Sequence, residues 1–244
     1  MEPIFAFSSL LLSVVAGGLF VSFLHKSNRT QIIKVLLAFS GGFLLSIAFN
    51  HFIPELYEDG NDSIGMFILL GFLIQLLLEF FSGGIEHGHV HVHVGQKMPW
   101  GLFISLSVHS ILEGIPLGNE LNHSLSSSRL HHDHGNSLLM GILFHQLPVS
   151  IALMTLLVNT KLKSIQAWFV LMLFGIMTPL GVVIGLFDLP VLSFLDPHVI
   201  LAVVVGMFLH ISTTIIFETS ENHRVNLIKL GAVILGLALA LLVN

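Results

Sequence analysis

The chain has 244 residues, 54% of them hydrophobic and 9% charged, with a mean hydropathy of +0.93 and a formal charge of −5. Soluble domains carry about 25% charged residues, so this composition excludes a soluble protein and marks an integral membrane protein. The absence of cysteine excludes disulfides, zinc ribbons and thiolate metal sites, while fifteen histidines are a large excess.

Eight apolar segments run approximately over 4–24, 33–54, 64–82, 99–118, 137–158, 165–187, 198–219 and 227–243. Each is near the ~20 residues a helix needs to cross a ~30 Å hydrocarbon core. The runs are unbroken and lack the alternation of a barrel strand. The predicted fold is therefore an all-α integral membrane protein, a single domain over 1–244 with eight transmembrane helices. Met1-Glu2-Pro3 lacks the basic start of a cleaved signal peptide. Lys26, Arg29, Lys34, Lys97, Lys161, Lys163, Arg224 and Lys229 lie in or beside the first, third, fifth and seventh loops, and only Arg129 in the alternate ones. The positive-inside rule then puts both termini outside. The outer loops are acidic, which concentrates cations. Short loops and compact length point to a bacterial inner membrane.

The second helix ends His51-Phe52-Ile53-Pro54-Glu55, with His51 and Glu55 one turn apart near its outer end. The pair guides an ion inward or senses pH, or else anchors the helix end. Glu79 lies near the inner end of the third helix, where it lines an exit or snorkels to the interface. The inner loop, about 83–98, carries His87, His89, His91 and His93 at every second position. The outer loop, about 119–136, carries His131, His132 and His134. Such tracts read as weak metal capture by composition, or as soluble linkers.

The fourth helix holds His109, Ser110 and Glu113 inside apolar sequence, with Pro116 beyond. The fifth holds His145 and Gln146, followed by Pro148. Ionisable groups at the bilayer centre cost roughly 2.5–3.5 kcal/mol each on insertion scales, so something must use them. His109 and Glu113 share one helix face, and imidazole with carboxylate suits a divalent ion such as Zn²⁺. The bland alternative is a His–Glu pair that satisfies itself. A second buried histidine, His145, weakens that alternative and supplies a third ligand. Water, Gln146, Ser110 or another helix is left to supply a fourth. The sixth helix has a breaker at Thr178-Pro179-Leu180-Gly181, marking a kink beside the pathway. Glu218 lies near the inner end of the seventh, with His210 two turns earlier, and like Glu79 it lines an exit or snorkels to the interface.

These pieces, in this order, resemble the ZIP (Zrt-/Irt-like protein) family of divalent metal transporters over nearly the whole chain. The resemblance rests on His51-Phe52-Ile53-Pro54-Glu55, His109-Ser110-Ile111-Leu112-Glu113-Gly114, His145-Gln146-Leu147-Pro148, Thr178-Pro179-Leu180-Gly181 and the His-rich third loop. It implies eight helices with both termini outside, and a metal site at His109, Glu113 and His145. It also implies elevator-like movement of helices one, four, five and six against two, three, seven and eight. Many members carry Asn at the position of Ser110, an acid at Gln146, and His, Glu or Gln at Val149. These departures predict a single-metal site.

The function expected is a secondary transporter moving Zn²⁺ into the cytoplasm, with Fe²⁺, Mn²⁺ and Cd²⁺ still open and no resident cofactor. Two alternatives stand beside it: a membrane-embedded zinc hydrolase, and a His-rich metal sensor or channel. The hydrolase is weakened by the lack of an H-E-x-x-H motif. The expected partners are the metal ion and the lipid bilayer, not nucleic acid. The Gly-rich helices are compatible with a homodimer.

Overall fold

The computed structural model describes residues 2–23, 29–58, 62–82, 98–126, 135–187, 196–217, 220–221 and 224–242. Its helices are α1 (Pro3–Phe23), α2 (Arg29–Ile47), α3 (Ile53–Glu58), α4 (Ile64–Ser82), α5 (Trp100–Ser126), α6 (Gly135–Leu157), α7 (Ser164–Gly175), α8 (Met177–Leu186), α9 (Pro197–Phe217) and α10 (Leu227–Ala240). α2 and α3 join through a π-helical turn, Ala48–Phe52, and count as one span, as do α7 and α8. Among the described residues, seven spans are long and apolar enough to cross a membrane, and α10 is a shorter apolar helix. The expected all-α membrane fold is thus observed. A two-residue antiparallel ladder pairs Ser220 with Val225 and Glu221 with Arg224 between α9 and α10.

Side-chain caps start two of these helices. Asp196 Oδ1 accepts from His198 N–H at 2.8 Å ahead of α9. Asn226 Oδ1 accepts from Ile228 and Lys229 N–H at 3.1 and 3.3 Å ahead of α10. Each satisfies backbone donors that the first turn leaves open.

Three expected boundaries need correction. The fourth segment, expected to end at 118, continues as α5 to Ser126, so the outer loop expected over 119–136 begins two turns later. Apolar segmentation reports immersion in lipid, and a helix with a buried Leu121 continues beyond it. The eighth segment, expected over 227–243, is helical only to Ala240. The break in the sixth span falls at Ile176, ahead of the Pro179 that removes one backbone donor from the following turn. Pro116 and Pro148, by contrast, lie inside unbroken helices.

The most extensive helix pairings, α5 with α8, α1 with α6, α2 with α10 and α4 with α9, fall inside two groups: α1, α5, α6 and α7–α8, and α2–α3, α4, α9 and α10. The groups meet where α6 packs on α2 and α5 on α4. Within each group, glycines let backbones touch. Gly114 and Gly118 of α5 lie against Gly181 and Gly185 of α8, and a Cβ on any of the four would meet a carbonyl oxygen of the facing helix. The same relation ties Gly42 to Gly236, on α2 and α10, and Gly71 to Gly206, on α4 and α9. This is small-residue packing, which substitutes for a hydrophobic driving force inside lipid. The seam between the groups is made by side chains. Phe144 of α6 meets Phe39 and Phe43 of α2 edge-on, at 5.3 and 4.9 Å between centroids.

The glycine contacts carry a prediction. Gly181→Val should lower the unfolding temperature of detergent-purified protein sharply, by an overpacking cost of ~3 kcal/mol or more. Gly231→Ala, where nothing lies within 4 Å, should be neutral or slightly stabilising. Equal effects of the two changes would show that the α5–α8 crossing is looser than described.

Candidate metal centre

The spans that carry the candidate ligands are the most enclosed. Of their membrane windows, 67% is buried in α5 and 78% in α6, against 17% in α4. Helical periodicity puts His109 and Glu113 on one face of α5, and the α5–α6 packing turns that face toward His145. His109 Nε2 and Glu113 Oε1 approach to 2.9 Å. The rings of His109 and His145 meet edge-on at 5.8 Å. One ligand atom from each of the three residues lies within 4.8 Å of the others, and all three residues are buried. Among the described residues this is the only such group of three or more metal-ligating side chains. Ligand atoms around a tetrahedral zinc stand about 3.3 Å apart, given Zn–N and Zn–O bonds near 2.0–2.2 Å. A small inward adjustment of side chains therefore closes the set around an ion.

The neighbouring polar residues have separate tasks. Gln146, considered above as a fourth ligand, accepts from Ser13 Oγ at 3.0 Å and donates to Thr178 Oγ1 at 3.1 Å. Its amide thus joins α1, α6 and α8 beside the centre. Ser110 is buried next to His109. Gln75 of α4, not singled out from the sequence, is fully buried, and its Oε1 lies at hydrogen-bonding distance, 2.9 Å, from His109 Nδ1. The only signal for it was a lone amide in an otherwise apolar stretch of α4.

At one end of the bundle a cavity of about 50 Å³ is lined by Glu55, Pro116, Asn119, Glu120, Pro197, His198 and Leu201. Pro116 stands three residues from Glu113, about 4.5 Å along the helix axis. The cavity is therefore about one turn from the centre, and its carboxylates favour cations. His51, half-buried, sits in the π-helical turn, where Ile53 N–H reaches back five residues to Ala48 O. Such turns occur often at functional sites.

Toward the other end, Glu79 of α4 meets His210 of α9, with His210 Nε2 at 3.3 Å from Glu79 Oε2. Phe72 packs edge-on to that imidazole at 4.7 Å. This interhelical pair holds a Glu79 side chain that stays partly exposed. His87, His89, His91, His93, His131, His132, His134 and Glu218 lie outside the described residues.

Apolar helices surrounding a buried cluster of two imidazoles and a carboxylate define a multi-pass membrane protein with a candidate metal centre inside its helix bundle. The family model described as ZIP Zinc transporter matches residues 85–244, and the chain belongs to that family. Zinc transporter ZIP1 of Danio rerio is 24% identical, over 66% of this chain and 68% of the relative. Protein zntD of Dictyostelium discoideum is 26% identical, over 63% of this chain and 24% of the relative. The chain thus spans about a quarter of the length of the Dictyostelium protein.

Proposed function

We propose that this protein is a secondary transporter that carries a divalent metal ion, zinc first among the candidates, into the cytoplasm. His109, Glu113 and His145 hold the ion midway across the bilayer. The observation that carries the reading is the convergence of these three buried side chains within 4.8 Å in a span-forming bundle. Three protein ligands leave a coordination position open, which suits an ion that must leave again. Imidazole and carboxylate without thiolate favour Zn²⁺ over Cu(I). Similarity to a protein named as a zinc transporter supports the same choice.

The two packing groups support an alternating-access reading. α5 and α6, which carry the three ligands, belong to one group, and α2–α3, with His51 and Glu55, to the other. Sliding one past the other would carry the centre from the Glu55–Glu120 cavity toward the Glu79–His210 end. Glu113 is itself a ligand, which leaves it ill placed as the separate base a hydrolase needs. The distribution of lysine and arginine supports inward transport with both termini outside. Radiotracer zinc uptake into proteoliposomes tests the reading. Saturable uptake is expected; folded protein that binds zinc yet gives no flux would overturn it.

The centre holds one ion. Gln146 is engaged by Ser13 and Thr178, and Val149, buried, has no donor atom to offer. Equilibrium dialysis against zinc, with His109→Ala protein as baseline, is expected to give one additional tight site per chain. Two would overturn the single-ion reading.

A further inference from the structure

Gln75 does more than fill a polar gap. A neutral imidazole carries one proton, and the partner of one ring nitrogen decides which nitrogen is left to ligate. The amide oxygen of Gln75 can only accept, so the 2.9 Å contact requires the proton of His109 on Nδ1. In the neutral ring that leaves the lone pair of Nε2 toward Glu113 Oε1, 2.9 Å away, a distance two acceptors keep only with a cation or a proton between them. Without this acceptor, the neutral ring is free to move its proton to Nε2 and donate it to Glu113. His109 and Glu113 would then satisfy each other, and an ion would have to break their hydrogen bond to enter. The choice between a ligand set and a self-satisfied pair thus rests on a residue from another helix.

The contact also crosses the seam. Gln75 is on α4 of one packing group and His109 on α5 of the other. Near it, Ser105 Oγ of α5 donates to Leu78 O of α4 at 2.5 Å. Ser105 is one turn from His109, and Leu78 one turn from Gln75, so the two bonds share one register between the helices. Gln75 also lies outside the residues that match the family model, 85–244.

We propose that Gln75 is a positioning residue. It holds His109 in the Nδ1–H tautomer with Nε2 turned to the ion, and does so while α4 and α5 keep this register. A shift between the two groups removes the acceptor and weakens the ligand, helping the ion to leave. The inference rests on the reading of His109 as a ligand.

The test is zinc affinity of the full-length protein in detergent, by competition with a zinc-sensitive dye, with unfolding temperature measured in parallel. Gln75→Leu and Gln75→Met are expected to bind zinc about 10–100-fold more weakly than wild type, the usual cost of losing a hydrogen bond behind a metal ligand. Gln75→Glu, which keeps an acceptor oxygen, is expected to restore affinity to within a few-fold. A role in packing alone would not separate Glu from Met in this way. Wild-type affinity in both Leu and Met variants, or equal loss in the Glu variant, overturns the proposal. Should His109→Ala bind as tightly as wild type, the metal-centre reading itself fails, an outcome distinct from unchanged binding in the Gln75 variants alone.

Discussion

Glu113→Gln is expected to abolish zinc uptake and to weaken zinc binding by at least ~100-fold, beyond the range for residues behind the ligands, while leaving the apo fold intact. The amide keeps the size of the carboxylate and removes its charge from a site that is 2% exposed. Burying an anion is costly unless it is paired. His109 can remain neutral when that anion is gone, so no uncompensated charge is left behind. The apo variant should therefore unfold at or slightly above the wild-type temperature. Zinc should raise the stability of wild type, by about 2.7 kcal/mol at a hundredfold excess over Kd, and should not raise that of the variant. A purely structural His109–Glu113 pair predicts the reverse, with lowered apo stability and an unchanged response to zinc. Thermal unfolding with and without zinc, beside uptake in proteoliposomes, separates the two.

Locking the seam should stop transport. The native chain has no cysteine, so introduced pairs stand alone. Leu78→Cys with Ser105→Cys puts thiols on α4 and α5 where Ser105 now donates to Leu78 O. Bridging them with a short bifunctional thiol reagent that reductant can cleave should bring zinc uptake to the protein-free background. Reduction should restore it, with each single-cysteine variant setting its own baseline. Val14→Cys with Gly175→Cys is the control inside one group, where a Cβ on Gly175 would stand 3.3 Å from that of Val14. Bridged there, the protein should keep its flux. Undiminished uptake by the bridged α4–α5 pair would show that the groups do not slide along this seam.

Much of this protein is legible one helix at a time. Membrane spans announce themselves by composition, because an exposed backbone or charge is expensive in lipid over any ~20-residue stretch. The same cost makes His109, Glu113 and His145 conspicuous, and the 3.6-residue period puts the first two on one face. Helix ends were less legible. α5 passes two turns beyond its apolar stretch, and the sixth span breaks at Ile176, ahead of its proline. Both outcomes depend on packing against neighbours, which hydropathy does not register.

What the sequence by itself determined is the class of fold, the apolar segments that form its helices and the three side chains that stand out as candidate ligands. Each follows from a local rule of burial or periodicity. What only the tertiary structure decided is which faces meet. Gln75 reaches His109 across 34 residues of chain, Ser13 reaches Gln146 across 133, and Gln146 reaches Thr178 across 32. Glu79 finds His210 on another helix. A period assigns side chains to a face but says nothing of the helix that will cover it. A lone amide in an apolar helix therefore cannot be told from a packing residue until the partner helix is in place.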